Sequence, residues 1–565
     1  MNQTNPLSRR TPPLNVCFLI ALTGLTFFFH LGSVGLLGPD EPRYAQVARE
    51  MMDRGDWVTP TLLGHTWFEK PALVYWLMGL SYRLFGVSEW AVRLPSACLA
   101  LAGVLWIYWL GTRVHSQRCG FWAAAALAST CFYFGFARGG TFDLPLTVCL
   151  SVTLGSFLWW DLSPARTDQR WLWICYIFLG ISLLAKGLIG VVLPAGIIGG
   201  YLMMTSTSVR NFFQRVNQTH WLIGGGLMVC SASLWYGPVI WKHGYLFIEE
   251  FFIAHHFQRY TSDKYHHTGP VYFYLPVMLG GLFPWTLFWL HGFAEHLRLL
   301  RNRPTPLASQ TSLKLACFCT CWVLFPLLFF SFSGSKLPGY LLPIWPAAAL
   351  MVGTSIEKLS TADYAGPRRW LVAGTSLLVL AVAVAAWMAG GKFVTDPGQM
   401  GGVIMVLGSI GIIGLGLAAF RIESGFYGLL CGGMGVLVVV VALQLFPTLE
   451  RRESLKHLSV TARKAILPGE LITFYKCRKY APVFYLPDRV YCCDADQEPN
   501  RFDHPDDLLK FTSSTESLLV ILPSVLRPEL ETDPRFQVEH LESEFIFSLL
   551  RVRRQPDKRQ DKETG

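Results

Sequence analysis

The sequence predicts an all-α polytopic membrane protein of about thirteen transmembrane helices, followed by a small C-terminal α/β domain. Three observations predict it. Of 565 residues, 52% are hydrophobic and only 15% are charged, whereas soluble domains carry about a quarter charged residues. Apolar runs of the roughly 17–25 residues that cross hydrocarbon recur from Val16 to Phe446. After Pro447 these runs stop and short strand-like segments begin. Hydrocarbon offers the backbone no partner, so runs of this length must satisfy their own hydrogen bonds as helices.

Spans are expected near residues 15–37, 90–110, 119–137, 142–160, 171–186, 188–205, 220–240, 271–291, 313–332, 339–356, 370–389, 402–420 and 425–446. The first follows Arg9 and Arg10, is too long for a signal-peptide core and lacks a small-residue cleavage site, so it reads as an uncleaved span. With the N-terminus cytoplasmic, the inner loops hold Arg113 and Arg118, Arg166 and Arg170, Arg210 and Arg215, then Arg298, Arg301 and Arg303, Lys358, Arg368 and Arg369, and Arg421. That bias fits an odd span count and an external, periplasmic C-terminus. The net charge of +10 therefore reflects topology and does not imply nucleic acid.

Residues 1–446 form the expected transmembrane domain, with two long external loops at 38–89 and 241–270. In the first loop an amphipathic stretch from Pro42 to Asp53 is closed by Gly55, the expected helix start and stop. A second short helix is expected from Ala72 to Leu84, with Tyr75, Trp76 and Tyr82 as interfacial anchors. Residues 447–553 suffice for one small α/β domain. Leu471–Tyr475 and Ser517–Leu522 read as buried strands, and Asp503–Phe511 as a helix between them. Residues 554–565 are highly charged and expected to be disordered. Eleven of fourteen Cys lie in or beside apolar runs; of the tail thiols, Cys477 could pair with Cys492 or Cys493 if that domain is extracytoplasmic.

The groups that could carry chemistry gather on the external side. Asp40 and Glu41, in Gly38-Pro39-Asp40-Glu41-Pro42-Arg43-Tyr44, suit two roles. Asp40 could cap the following helix, or it could accept a proton from an attacking hydroxyl and steady positive charge on a sugar carbon. Phe68-Glu69-Lys70-Pro71 holds either an interfacial ion pair or a phosphate-binding lysine at headgroup level. Arg259 supplies a fork-shaped phosphate ligand in the other loop. Lys186 and Lys336, beside Gly187 and Tyr340, could snorkel or join the same set. Asp143 closes the turn Arg138-Gly139-Gly140-Thr141-Phe142-Asp143. It pairs with Arg138 or serves as a second active-site carboxylate. His255, His256, His266 and His267 are metal-ligand material, with Glu69 as carboxylate partner.

These motifs resemble the GT-C class of polyprenyl-phosphate-sugar glycosyltransferases, more narrowly the bacterial 4-amino-4-deoxy-L-arabinose lipid A transferases, and more distantly the protein O-mannosyltransferases. The resemblance covers the span pattern, Asp40-Glu41, Phe68-Glu69-Lys70-Pro71, Arg138…Asp143, Lys186-Gly187, His256…Arg259 and Lys336-Leu337-Pro338-Gly339-Tyr340. It implies a multi-pass enzyme of the bacterial inner membrane that inverts a sugar as it leaves undecaprenyl phosphate for lipid A. Asp40 and Asp143 would be its catalytic carboxylates. Lys70, Arg259, Tyr340 and Lys336 would bind the carrier phosphate, with Tyr44, Arg43 and Lys186 shaping the donor pocket. Glu69 with His255 or His256 would mark a divalent metal site, while no cofactor would be required. A monomer is expected, with membrane lipids as its surroundings. Transfer of another hexose to protein or surface polysaccharide is the alternative, and a lipid-linked glycan transporter the second. A transporter would place ionisable groups near mid-span, where this sequence has few.

Overall fold

The computed structural model describes residues 13–163, 166–257, 269–302, 307–393, 397–491, 500–512 and 517–555. Among them, eight helices are long and apolar enough to cross a membrane: Glu89–Val114, Asp143–Leu162, Trp221–His243, Thr311–Ser331, Pro338–Leu359, Ala362–Gly390, Gly398–Ala419 and Glu423–Gln444. Two bent pairs raise the number to ten. Gln117–Ser129 and Cys131–Ala137 meet at 65°, and Val271–Gly281 and Thr286–Asn302 at 116°. Pro13–Phe28 and Ile189–Thr205 are shorter apolar helices. The expected multi-span helical architecture is thus observed.

Local chemistry explains where these helices begin and how closely they pack. Ser116 Oγ accepts the Cys119 N–H at 3.0 Å, taking up one of the donors that a helix start leaves without a partner. The same helix presents the buried run Ala123–Ala128 to Trp345–Leu359. At Gly353 a Cβ would lie 2.4 Å from the Cys119 carbonyl. Small residues permit this approach, which is what drives helix association where lipid removes the hydrophobic incentive.

The chain divides into two compact units. One comprises Met1–Leu31, Phe68–Leu77 and Arg93–Gln444, the other Gly32–Trp67, Met78–Val92 and Leu445–Gly565. The second unit holds a five-stranded sheet in the order Arg501–Phe502, Leu471–Tyr475, Leu518–Pro523, Phe547–Arg554, Phe536–Glu544. The first three strands are parallel to one another, Phe547–Arg554 pairs antiparallel with Leu518–Pro523, and Phe536–Glu544 pairs antiparallel with Phe547–Arg554 at the edge. Both expected strands are present, and the expected helix is Pro505–Thr512. The core joins Tyr475, Leu508, Leu518, Val520, Leu522, Leu530, Phe536, Leu550 and Val552. Cys477 is a free thiol among the described residues, pushed up to about 12 by burial. Cys492 and Cys493 lie outside the described residues.

One buried ion pair sets a pH limit on this sheet. Arg551 Nε reaches Glu470 at 2.9 Å, with side chains only 9% and 1% exposed. Burial alone would raise the Glu470 pKa, but hydrogen bonds from Arg551, the Leu467 N–H and Ser517 hold it below the usual carboxylate range. A carboxylate with a lowered folded pKa stabilises above its unfolded value, and that contribution is lost as pH falls through the folded one. Stability of this unit should therefore decline below about pH 4. Glu470→Gln should flatten that decline while costing about 3–5 kcal/mol at neutral pH. Chemical denaturation across a pH series measures both.

Candidate active site

In the helical unit, Asp143 is the first residue of Asp143–Leu162 and Lys186 the last of Gln169–Lys186. Adjacent antiparallel helices thus bring an N-terminus and a C-terminus to the same end, where the helix dipoles favour a carboxylate and a cation respectively. Lys186 Nζ donates to Asp143 Oδ1, the side chains 14% and 19% exposed. Asp143 thus takes Lys186 as its partner, and Arg138 donates to the carbonyls of Thr26, Phe27 and His30 at 3.3–3.4 Å. Gly187 ends the lysine's helix at φ 77° and ψ −151°, backbone that a Cβ strongly disfavours. Gly187→Ala should cost about 1–3 kcal/mol, readable as a lowered midpoint of thermal unfolding.

The segment Pro338–Ile344 closes over this pair. The Tyr340 ring lies 4.9 Å from Lys186 Nζ, within cation–π range. A Cβ at Gly339 would sit 3.0 Å from Asp143 Cγ, so glycine lets the backbone rest against the carboxylate. Tyr274 Oη donates to Leu337 O at 3.2 Å, pinning the start of the segment. Lys336 is buried, its Nζ donating to Ser333 O at 2.6 Å.

The Glu69-Lys70 motif belongs to the same end of the same unit. Tyr75, just beyond it, meets Phe142 edge-on at 5.3 Å, and Phe142 immediately precedes Asp143. Phe68 packs against His243 and Phe247 at 5.0 and 5.2 Å. Lys70 Nζ is 2.6 Å from Glu69 Oε1 with side chains only 12% and 10% exposed. This is a largely buried pair, unlike the weak exposed ones of protein surfaces.

The second unit carries Asp40, Glu41, Arg43 and Tyr44 on the helix Asp40–Arg54. Pro39 occupies the cap position and contributes no side-chain bond, so Asp40 is not the cap that one reading of the sequence allows. It is the first helical residue, and Arg43 one turn on donates to its Oδ1. Glu41 serves the entry instead, its Oε2 accepting the Leu37 N–H at 2.9 Å. Arg43 is held by two rings, Tyr480 at 4.8 Å and Trp67 at 5.6 Å, while the Asp40 side chain stays 50% exposed. Tyr44 is buried. A clamped arginine thus fixes a carboxylate that still faces outward. Tyr480 escaped sequence reasoning because nothing links it to Arg43 along the chain. Downstream, Glu50 organises the turn between Thr61–Leu62 and His65–Thr66. It accepts the Leu63 N–H at 2.7 Å, the Gly64 N–H at 3.2 Å and the Thr61 hydroxyl at 2.6 Å, offsetting the positive φ of Leu63.

His255 and His256 lie in Ile248–Phe257, but their side chains, like Arg259, His266 and His267, fall outside the described residues. No group of three or more His, Cys, Asp and Glu side chains is placed to hold a metal among the described residues.

The sequence profile of the family described as dolichyl-phosphate-mannose-protein mannosyltransferase matches residues 69–236. The undecaprenyl phosphate-α-4-amino-4-deoxy-L-arabinose arabinosyl transferase 2 of Pseudomonas fluorescens is 31% identical over 390 residues, 68% of this chain and 62% of that protein. The corresponding transferase of Erwinia tasmaniensis is 31% identical over 365 residues, 64% of this chain and 62% of its own. This chain thus spans 62% of the length of either relative. The crystal structure of ArnT from Cupriavidus metallidurans bound to undecaprenyl phosphate superposes with a TM-score of 0.76. It covers 95% of this chain and 97% of that one at 22% identity. The chain has the ArnT-like GT-C fold. Over these stretches its sequence is similar to those of the aminoarabinose transferases, and the resemblance read from its motifs is borne out. Within that fold Asp143, Lys186, Tyr340 and the Glu69-Lys70 pair lie at one end of the helical unit.

Proposed function

We propose that the chain is an inverting glycosyltransferase moving 4-amino-4-deoxy-L-arabinose from undecaprenyl phosphate to lipid A at the periplasmic face of a bacterial inner membrane. The observation that carries this reading is the placement of paired ionisable groups at helix ends, Asp143 opening one helix and Lys186 closing its neighbour. Interfacial chemistry needs charge there, whereas transport uses groups on broken helices at mid-span. The relatives' printed activities support the donor and sugar.

Lys70 and Arg259 would neutralise the carrier phosphate, with Lys186, Lys336 and Tyr340 beside it. Neutralisation makes the phosphate a leaving group without further activation. The glycosidic C–O bond breaks as the acceptor oxygen approaches the opposite face, so one displacement inverts the anomeric centre. Asp40, oriented by Arg43, takes the proton of a hydroxyl acceptor; for a phosphate acceptor it steadies charge on the sugar instead. Asp143 holds Lys186 in place, and Tyr44 and Arg43 shape the donor pocket. In this structure Glu69 and Asp143 hold the two lysines, and an incoming phosphate would compete for them. Glu69 with His255 or His256 would be the donors to a divalent cation, which would have to share Glu69 with the Lys70 ammonium already on one of its oxygens.

The same reading assigns thirteen crossings, adding the two shorter helices and Gln169–Lys186 to the ten. The N-terminus is then cytoplasmic, residues 447–553 are periplasmic and the enzyme acts as a monomer. The test is reconstitution with a short-chain polyprenyl-phosphate aminoarabinose and lipid A, read by mass spectrometry. Addition of one sugar supports the reading, and no adduct by folded protein overturns it. Lys70→Ala should raise the donor KM about tenfold or more with less change in kcat. A second reading, transfer to protein, draws on the mannosyltransferase profile; a peptide adduct in the same assay would favour it.

A further inference from the structure

At the other end of the helical unit lies a polar cavity of about 480 Å³ lined by Trp160, Asp161, Arg166, Gln169, His220 and Lys314, among others. Asp161 is eighteen residues beyond Asp143 on one helix, about 27 Å at helical rise. That is close to the hydrocarbon thickness of a bilayer. The cavity therefore opens at the membrane face opposite the candidate active site.

Its charge does not balance. The fully buried Asp161 carboxylate meets three cations: Arg166 at 2.7 Å, Arg215 at 3.2 Å and Lys314 at 3.4 Å. It also accepts from Tyr201 Oη at 2.6 Å. Asp161 is the sole carboxylate lining the cavity among the described residues. Nearby, Asp168 is taken up by Arg170, 2.8 Å away. Two positive charges remain over, and they attract an anion at low dielectric. Hydrogen bonding is also incomplete. Trp160, 1% exposed, has its Nε1–H without an acceptor, and Gln169 Oε1 has no donor. Arg166 and His220 both sit at positive φ, 53° and 49°, a strain that clusters at ligand sites. A network serving only to tie helix ends would need neither the surplus charge nor the open, half-satisfied cavity.

We propose that this cavity binds a phosphate group, that of an anionic phospholipid headgroup. Lys314 and Arg166 would contact the phosphate, the Trp160 N–H would donate to it, and Gln169 would accept from a headgroup hydroxyl. Position at a bilayer face favours a lipid over free phosphate, since basic pockets between spans at this depth meet headgroups first.

The test is native mass spectrometry and thermal unfolding of the full chain. The protein would be taken from phosphatidylcholine nanodiscs doped with phosphatidylglycerol, with inorganic phosphate as a separate arm. The wild type should retain phosphatidylglycerol about tenfold over phosphatidylcholine. Lys314→Gln should remove that preference, and Trp160→Phe, which keeps the ring and deletes the N–H, should weaken it. Stabilisation by millimolar inorganic phosphate in the wild type but not in Lys314→Gln would support the same phosphate site with the free ion as its source. Equal retention of both lipids with no effect of phosphate would overturn the proposal. So would a preference unchanged in both variants, each shown folded by its unfolding transition.

Discussion

Asp40→Asn is expected to reduce sugar transfer by about 10²–10⁴-fold while leaving the fold and donor binding nearly intact. The side chain is 50% exposed and makes no helix cap, so its charge contributes little to stability. What the substitution removes is the anionic acceptor that Arg43 holds in place. Arg43 in turn is fixed between Tyr480 and Trp67. Tyr480→Ala should therefore copy the Asp40→Asn defect in weaker form, through a loosened arginine and with kcat affected more than KM. The measurement is steady-state transfer by mass spectrometry beside a thermal unfolding control. Transfer by Asp40→Asn at the wild-type rate would remove Asp40 from the mechanism.

Lys186→Met is expected to have the second largest effect, on stability and activity together. It leaves the Asp143 carboxylate, 19% exposed, beneath Gly339 without its ammonium partner. Removing one member of a buried pair costs about 3–5 kcal/mol because the survivor is an uncompensated charge. Asp143→Asn combined with Lys186→Met deletes both charges and should regain most of that stability, since apolar or neutral replacement of a whole pair is often close to neutral. Activity should not return, because the cation proposed to face the donor phosphate is still missing. Recovery of transfer in the double variant would make the pair purely structural. An equally unstable double variant would mean that Asp143 depends on partners other than Lys186.

Much of this was legible along the chain because its signals are local. Apolar run length located the helices. Proline followed by glycine bounded Asp40–Arg54, and β-branched and aromatic runs marked Leu471–Tyr475 and Leu518–Pro523. The bent pairs were read as single spans, since hydropathy measures how apolar a segment is and carries no direction. The hairpin Phe536–Glu544 and Phe547–Arg554 was missed because its outer strand carries three glutamates and buries only Phe536 fully. The basic residues around Arg166 and Arg215 were read as topology signals alone. Their convergence on Asp161 depends on helices far apart in sequence.

By itself, then, the order of residues determined that the chain is helical, spans a membrane repeatedly, ends in a small α/β domain and carries the motifs of a polyprenyl-phosphate-sugar transferase. These properties follow from hydrophobicity and backbone hydrogen bonding, which act over a few neighbouring residues. Only the tertiary structure decided which charges meet: Lys186 with Asp143 under Tyr340, Arg43 with Asp40 beside Tyr480, and three cations on Asp161. Electrostatic and aromatic contacts depend on distance in space, and in a bundle of spans that distance is set by which helices pack together.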